Sequence, residues 1–216
     1  VSGSGRAVRA ANEYAKFASE ATGASVGWLR EKAFTDGSKN IISIGETARL
    51  SEANFGLDIS ELGDSGYIVK SDENGNIYII GGSVENGWMG LLCGVYDLLN
   101  EFFGYEYYAD GVYSLSKNVT SAKFSSGDLD RKVLPSFAYR QRVYGFNSAD
   151  SRDKEFNGYR LRMNRPYVCG FNGSDMHDLM YAIPYSEYGS AHPNWYMDGY
   201  NADGGQPCFT RDPDGI

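Results

Sequence analysis

Small and aromatic apolar residues recur at helical spacing near the start of the chain. Ala7, Ala10, Ala11, Tyr14, Phe17, Ala18 and Ala21 share one stripe and predict a helix over Arg6–Thr22, which Gly23 ends. The short apolar run Asn40–Gly45 suits a strand, and Thr47 is placed to cap a short helix reaching Asn54. Two β-rich runs follow, Gly66–Lys70 and Asn76–Ile80, joined by Ser71-Asp-Glu-Asn-Gly75. The Asn74-Gly75 step between them marks an antiparallel hairpin. After Gly81-Gly82 a second helix is expected over Gly87–Phe103, with Trp88, Leu91, Leu92, Val95, Leu98, Leu99 and Phe102 forming a wide stripe that Gly104 closes. Gly90 and Gly94 lie four apart on it. Each costs roughly 1 kcal/mol against Ala in a helix, so a close approach to neighbouring backbone is expected to offset the loss. The polar flanks argue against a membrane small-xxx-small motif.

Past this helix, Tyr105–Tyr108 reads as a strand. From Asp110 to Lys132 the chain is rich in Ser, Asn, Asp and Gly, the texture of a boundary between two units. Pro135–Gly145 then begins as a strand, and Asp153–Asn164 reads as a helix with Phe156, Tyr159, Arg160 and Met163 on one face. Tyr167–Phe171 reads as a second strand, followed by a long loop rich in Tyr, Pro, His and Trp and by Gln206–Thr210. Strand, helix, strand is the rhythm of a parallel α/β unit. A closed (β/α)₈ barrel takes roughly 250 residues, and only about 80 remain here.

Composition narrows the function classes. The 216 residues are 42% hydrophobic and 22% charged, as expected of a folded globular chain. Seventeen Tyr, 11 Phe and 3 Trp serve either a thick core or a surface that stacks on flat apolar faces such as sugar rings. A net charge of −8 with no basic stripe argues against a nucleic-acid or anionic-membrane partner. No run of about 20 apolar residues is present to span a bilayer. The chain opens on Val1-Ser-Gly-Ser-Gly, where a removed leader or first strand would leave no trace. Cys93, Cys169 and Cys208 are odd in number and widely spaced, which supports neither a zinc site nor a disulfide framework, and Cys93 falls on an apolar helical pattern as a small buried hydrophobe.

The order helix, "IISIG", "LGDSGYIVKS", "NIYIIGGSVENGWMGLLCGVYDLLNEFFGYEYY" resembles the N-terminal accessory domain of glycoside hydrolase family 20 β-N-acetylhexosaminidases and family 67 α-glucuronidases, over roughly residues 6–110. "LPSFAYR" resembles the strand that opens the family 20 catalytic barrel. "YRLRMN", "MHDLMYAIPYSEYGSAHPNWY" and "QPCFTRDPDG" look more like the bacterial domain of unknown function 4838. The resemblance implies an α+β accessory domain, hexosaminidase domain 2-like, with an antiparallel or mixed sheet and helices on one face, over residues 1–110. A linker at 111–132 and a partial (β/α) barrel over 133–216 would follow. It also implies that the acid/base carboxylates sit on later barrel strands, absent from this chain.

Arg140 matches the strand-one Arg that hydrogen-bonds sugar hydroxyls in family 20, and a guanidinium fork suits vicinal hydroxyl oxygens. The alternative is a structural Arg paired with an acid, and Arg142 takes its place if the register is off by two. His177, His192, Tyr185, Trp195 and Tyr196 are candidates for a sugar subsite, the alternative being an ordered surface loop whose His-Pro step marks a turn. Two histidines 15 apart with no third ligand do not make a zinc site. Asp175 and Asp178 are the nearest approach to a glycosidase carboxylate pair, but three residues apart beside a turn they read as solvated or capping groups. The expectation is therefore the N-terminal part of a carbohydrate-active O-glycosyl hydrolase, with an oligosaccharide or polysaccharide substrate, no cofactor and an extracytoplasmic location. The alternative is a non-catalytic carbohydrate-binding or structural module.

Overall fold

The computed structural model describes residues 1–34, 40–82, 88–120, 129–137, 140, 151–163 and 183–196. The chain divides into two units, one of Val1–Arg140 with Gly145–Asn164, the other of Gln141–Tyr144 with Arg165–Ile216.

In the first unit, helix α1 (Gly5–Thr22) begins where the Ser4 side chain accepts the Ala7 N–H and ends at Gly23. Strand β1 (Ile42–Ile44) and helix α2 (Ala48–Ala53) follow. The hairpin strands are β2 (Tyr67–Ser71) and β3 (Ile77–Gly81), and helix α3 spans Trp88–Phe103. Beyond it come β4 (Glu106–Ala109), β5 (Val112–Ser114), β6 (Asp130–Val133) and helix α4 (Ser151–Arg160). A mixed four-stranded sheet has the order β1-β3-β2-β6, with β1 parallel to β3 and the other pairs antiparallel, while β4 and β5 form a separate ribbon. The architecture is α+β.

The hairpin is apolar on both faces, and this sets the layers. Tyr67, Val69, Ile77 and Ile79 point to the main core, made with α1 and α3. Ile68, Tyr78 and Ile80 point the other way and are covered by Leu50 and Ala53 of α2 and by Phe55, Leu57, Ile59 and Leu62 after it. The two long helices thus share one face as expected, but the opposite face is also covered, because a strand buried on both sides needs apolar cover on both.

Thr47 anchors α2. Its side chain accepts the Leu50 N–H at 3.1 Å and lies 2.7 Å from the buried Ser43 hydroxyl. Thr47→Ala is expected to cost about 1 kcal/mol, as typical for a lost N-cap, read as a lower midpoint in thermal unfolding.

Two expectations change. The span 111–132, read as a linker, carries β5 and the first residues of β6, and β6 is the fourth strand of the sheet. Among the described residues it is an edge strand, and its charges are paired. Lys70 meets Asp130 at 2.6 Å, Arg131 bridges Asp97 and Glu101 of α3, and Lys132 meets Glu61. Charged side chains on a sheet edge discourage pairing with another chain. Nor do the described residues contain the strand, helix, strand rhythm of a barrel. Ser136 and Phe137 are not in a strand, and α4 packs on α3 of the first unit. The expected strands at 167–171 and 206–210 lie outside the described residues.

In the second unit the described residues hold one helical turn, Tyr185–Tyr188, entered from Pro184, and a 3-10 turn, Pro193–Trp195.

Candidate functional site

Arg140 is held by the protein itself. Its Nε donates to the Arg162 carbonyl at 2.9 Å, one terminal nitrogen to the Phe137 carbonyl at 2.6 Å, and the other to the Ser65 hydroxyl at 2.8 Å. Each nitrogen of the fork thus has an acceptor from the fold, two carbonyls and a hydroxyl among the described residues. Arg162 continues the chain of contacts. Its guanidinium donates to the Cys93 carbonyl and lies over the Tyr96 ring at 5.3 Å. Burial pushes the Cys93 thiol up, against the pull of the Arg162 charge, so the buried thiol is an inert packing group. Arg142 and His177 lie outside the described residues, as do Asp175 and Asp178.

Sequence reasoning missed the most strongly bonded polar cluster. Glu13 of α1 accepts two bonds from Arg160 of α4, each 2.9 Å, and a third from the Tyr96 hydroxyl of α3 at 2.8 Å. Arg160 also donates to Asn157 at 3.2 Å, and Asn157 to Asp110 at 3.1 Å. Phe17, Tyr107 and Phe156 place their rings 5.3–5.8 Å from the guanidinium. Both charged side chains are almost fully buried, at 4% and 7% exposure. Burial pulls the Arg160 pKa down, but the bonds to and charge of Glu13 outweigh it and hold the guanidinium above its ordinary value. Burial and the Glu13 charge push the Tyr96 phenol well up. The cluster resembles a catalytic arrangement in its residue types, yet it is closed to solvent, and it clamps α1, α3 and α4 together. One signal was present. Glu13 sits three residues after Ala10 and four before Phe17, on the apolar stripe itself, where a lone charge implies a buried partner.

The second unit gathers four of the expected sugar-contacting residues. Tyr196 is buried, donates its hydroxyl to the Ile183 carbonyl at 2.9 Å, and meets the Tyr185 ring edge-on at 4.9 Å. That contact closes residues 183–196 into a loop. On it, the His192 and Trp195 rings lie face to face, 3.9 Å apart and 6° from parallel, with Tyr188 at 6.1 Å from Trp195. The backbone locks the arrangement, since the His192 N–H donates to the Tyr188 carbonyl and the Trp195 N–H to the His192 carbonyl. Trp195 is 40% exposed, and His192 is exposed as well. The His-Pro step starts a 3-10 turn, and the stacked His192 and Trp195 rings at that turn are exposed.

Among the described residues no group of three or more His, Cys, Asp or Glu is placed to hold a metal ion. No protein-family model, curated protein or solved structure matches this chain.

Proposed function

We propose that this chain is the N-terminal, sugar-contacting part of a carbohydrate-active O-glycosyl hydrolase. In this reading the α+β unit is the supporting accessory domain, and residues 185–196 supply an aromatic platform for a pyranose ring. The exposed, parallel His192–Trp195 pair carries the reading. An aromatic face gains contact area against the flat C–H face of a sugar at little conformational cost, because the rings are already held. The His192 imidazole adds a hydrogen-bonding edge for a neighbouring hydroxyl. Tyr185 and Tyr196 act behind the platform, one bracing the other. Arg140 belongs to the scaffold in this scheme, its nitrogens being engaged by Ser65, Phe137 and Arg162. The acid and base carboxylates of hydrolysis are assigned to polypeptide outside this chain.

Calorimetry of the 216-residue protein against a panel of neutral oligosaccharides tests this. A member of the panel is expected to bind, and Trp195→Ala should weaken that binding roughly tenfold, about 1.4 kcal/mol, through loss of one stacked ring. The melting temperature should stay unchanged. Equal affinity in the variant, or no binding across the panel, would count against the platform.

A further inference from the structure

β1 is an outer strand of the sheet, and its register with β3 decides which of its polar groups face outward. The Ile41 carbonyl accepts from Ile77 and the Gly45 N–H donates to Ile79, both at 2.9 Å, so odd-numbered residues face β3. In a parallel ladder the intervening residues present their N–H and C=O to the other side. These are Ile42 and Ile44. The Ile44 carbonyl accepts from the Ser2 N–H at 3.1 Å, whereas the Ile44 N–H and both polar groups of Ile42 have no partner among the described residues.

Val1 completes the picture from the opposite flank. Its nitrogen donates to the Leu29 carbonyl and its carbonyl accepts from the Glu31 N–H, each at 3.1 Å. This is the bonding pattern of a parallel bridge opposite Arg30. Val1 and Ser2 therefore form a strand end bonded on both sides, by β1 on one and by residues 29–31 on the other. Continued backwards in the same register, that strand would pass between Ile42 and the stretch Gly27–Trp28. A groove of about 500 Å³ lies there, lined by Tyr14, Val26, Trp28, Phe34, Ile42 and Ile44 among others.

We propose that this groove is a strand slot, filled by extended polypeptide joined to the amino side of Val1 and running parallel to β1. The two-sided pairing of Val1 and Ser2 carries the assignment. Such a strand satisfies the outward groups of Ile42 and the Ile44 N–H, buries its alternate side chains against the aromatic lining, and removes an open sheet edge. Parallel neighbours need a crossover of a dozen or more residues, and the 18-residue α1 between Ser2 and β1 supplies it. The occupant is apolar at alternate positions.

Three proteins test the slot: the 216-residue chain, the same chain with a short alternating Val-Thr segment added before Val1, and a third whose added segment has Pro at every second position. Amide exchange by nuclear magnetic resonance reads the result at Ile42 and Ile44. The Val-Thr extension should slow exchange at Ile44 by about tenfold or more, and raise the melting temperature by roughly 4 °C. The Pro-containing extension, its prolines at the positions that face β1, lacks the N–H groups that would bond the Ile42 carbonyl and hold the strand in register, and should do neither. Equal exchange in all three proteins overturns the proposal. So does protection of the same amides by a free acetylated Val-Thr peptide, or by an oligosaccharide, where the tethered segment gives none. Those outcomes would assign the groove to a partner's strand or to a sugar.

Discussion

Arg160→Met is expected to destabilise the first unit by about 3–5 kcal/mol, because it leaves the Glu13 carboxylate buried with its cationic partner gone. The Tyr96 hydroxyl would remain, at 2.8 Å, but one neutral donor cannot offset a buried charge. The double variant Glu13→Gln with Arg160→Met removes both charges, and it should recover a substantial part of the loss. Urea unfolding of the three proteins, followed by circular dichroism, measures both effects. A loss below about 1 kcal/mol for Arg160→Met, the range of an exposed pair, would show that water reaches the cluster. The expected ordering also says what the pair is for. It holds three helices in one arrangement, and packed apolar residues could match its stability without its directionality.

Gly90→Ala should be the second severe change, with a loss near 3 kcal/mol, the upper range for forced overpacking. A Cβ at Gly90 would lie 2.1 Å from the Gly66 carbonyl oxygen and 3.2 Å from the Gly81 Cα. Those atoms are backbone just before β2 and at the end of β3, so the clash is relieved only if α3 moves off the sheet. Gly94→Ala should cost less. Its Cβ would meet the Ile79 Cγ2 at 2.5 Å, so the buried, β-branched Ile79 or the helix must give way, but no backbone atom stands as close. Thermal unfolding of the two variants side by side gives the order, and equal losses would mean that the helix is free to shift at both points.

The α1 stripe, the Thr47 cap, the Asn74-Gly75 hairpin and the α3 stripe were all legible, since each depends on residues close in sequence. The close backbone approach expected of both glycines holds at Gly90, whereas Gly94 faces the side chains of Ile79, Tyr67 and Val69 instead. β6 was not. Asp130-Arg-Lys-Val133 alternates between exposed and half-buried positions, as a strand should, but it is only four residues long and three of them are charged. Its strand character comes from pairing with β2, some 60 residues earlier, and local sequence carries no trace of that. α4 was recognised as a helix and assigned to the wrong neighbour for the same reason: its apolar face says that something covers it, not what. Of the candidate site, the aromatic types and the His-Pro turn pointed to residues 185–196, whereas the engagement of Arg140 by two carbonyls and a hydroxyl depended on backbone positions that no spacing rule reaches.

The distance along the chain between Glu13 and Arg160, 147 residues, also orders events at the ribosome. At about 5–20 residues per second, roughly 7–30 s separate the synthesis of the two. Once α3 has also been made, α1 and α3 can meet, but the corner where Glu13 points inward cannot close without stranding a carboxylate. The nascent α1–α3 pair is therefore expected to stay hydrated at that corner, as a substrate for holding chaperones, until the last turn of α4 leaves the exit tunnel and shuts it.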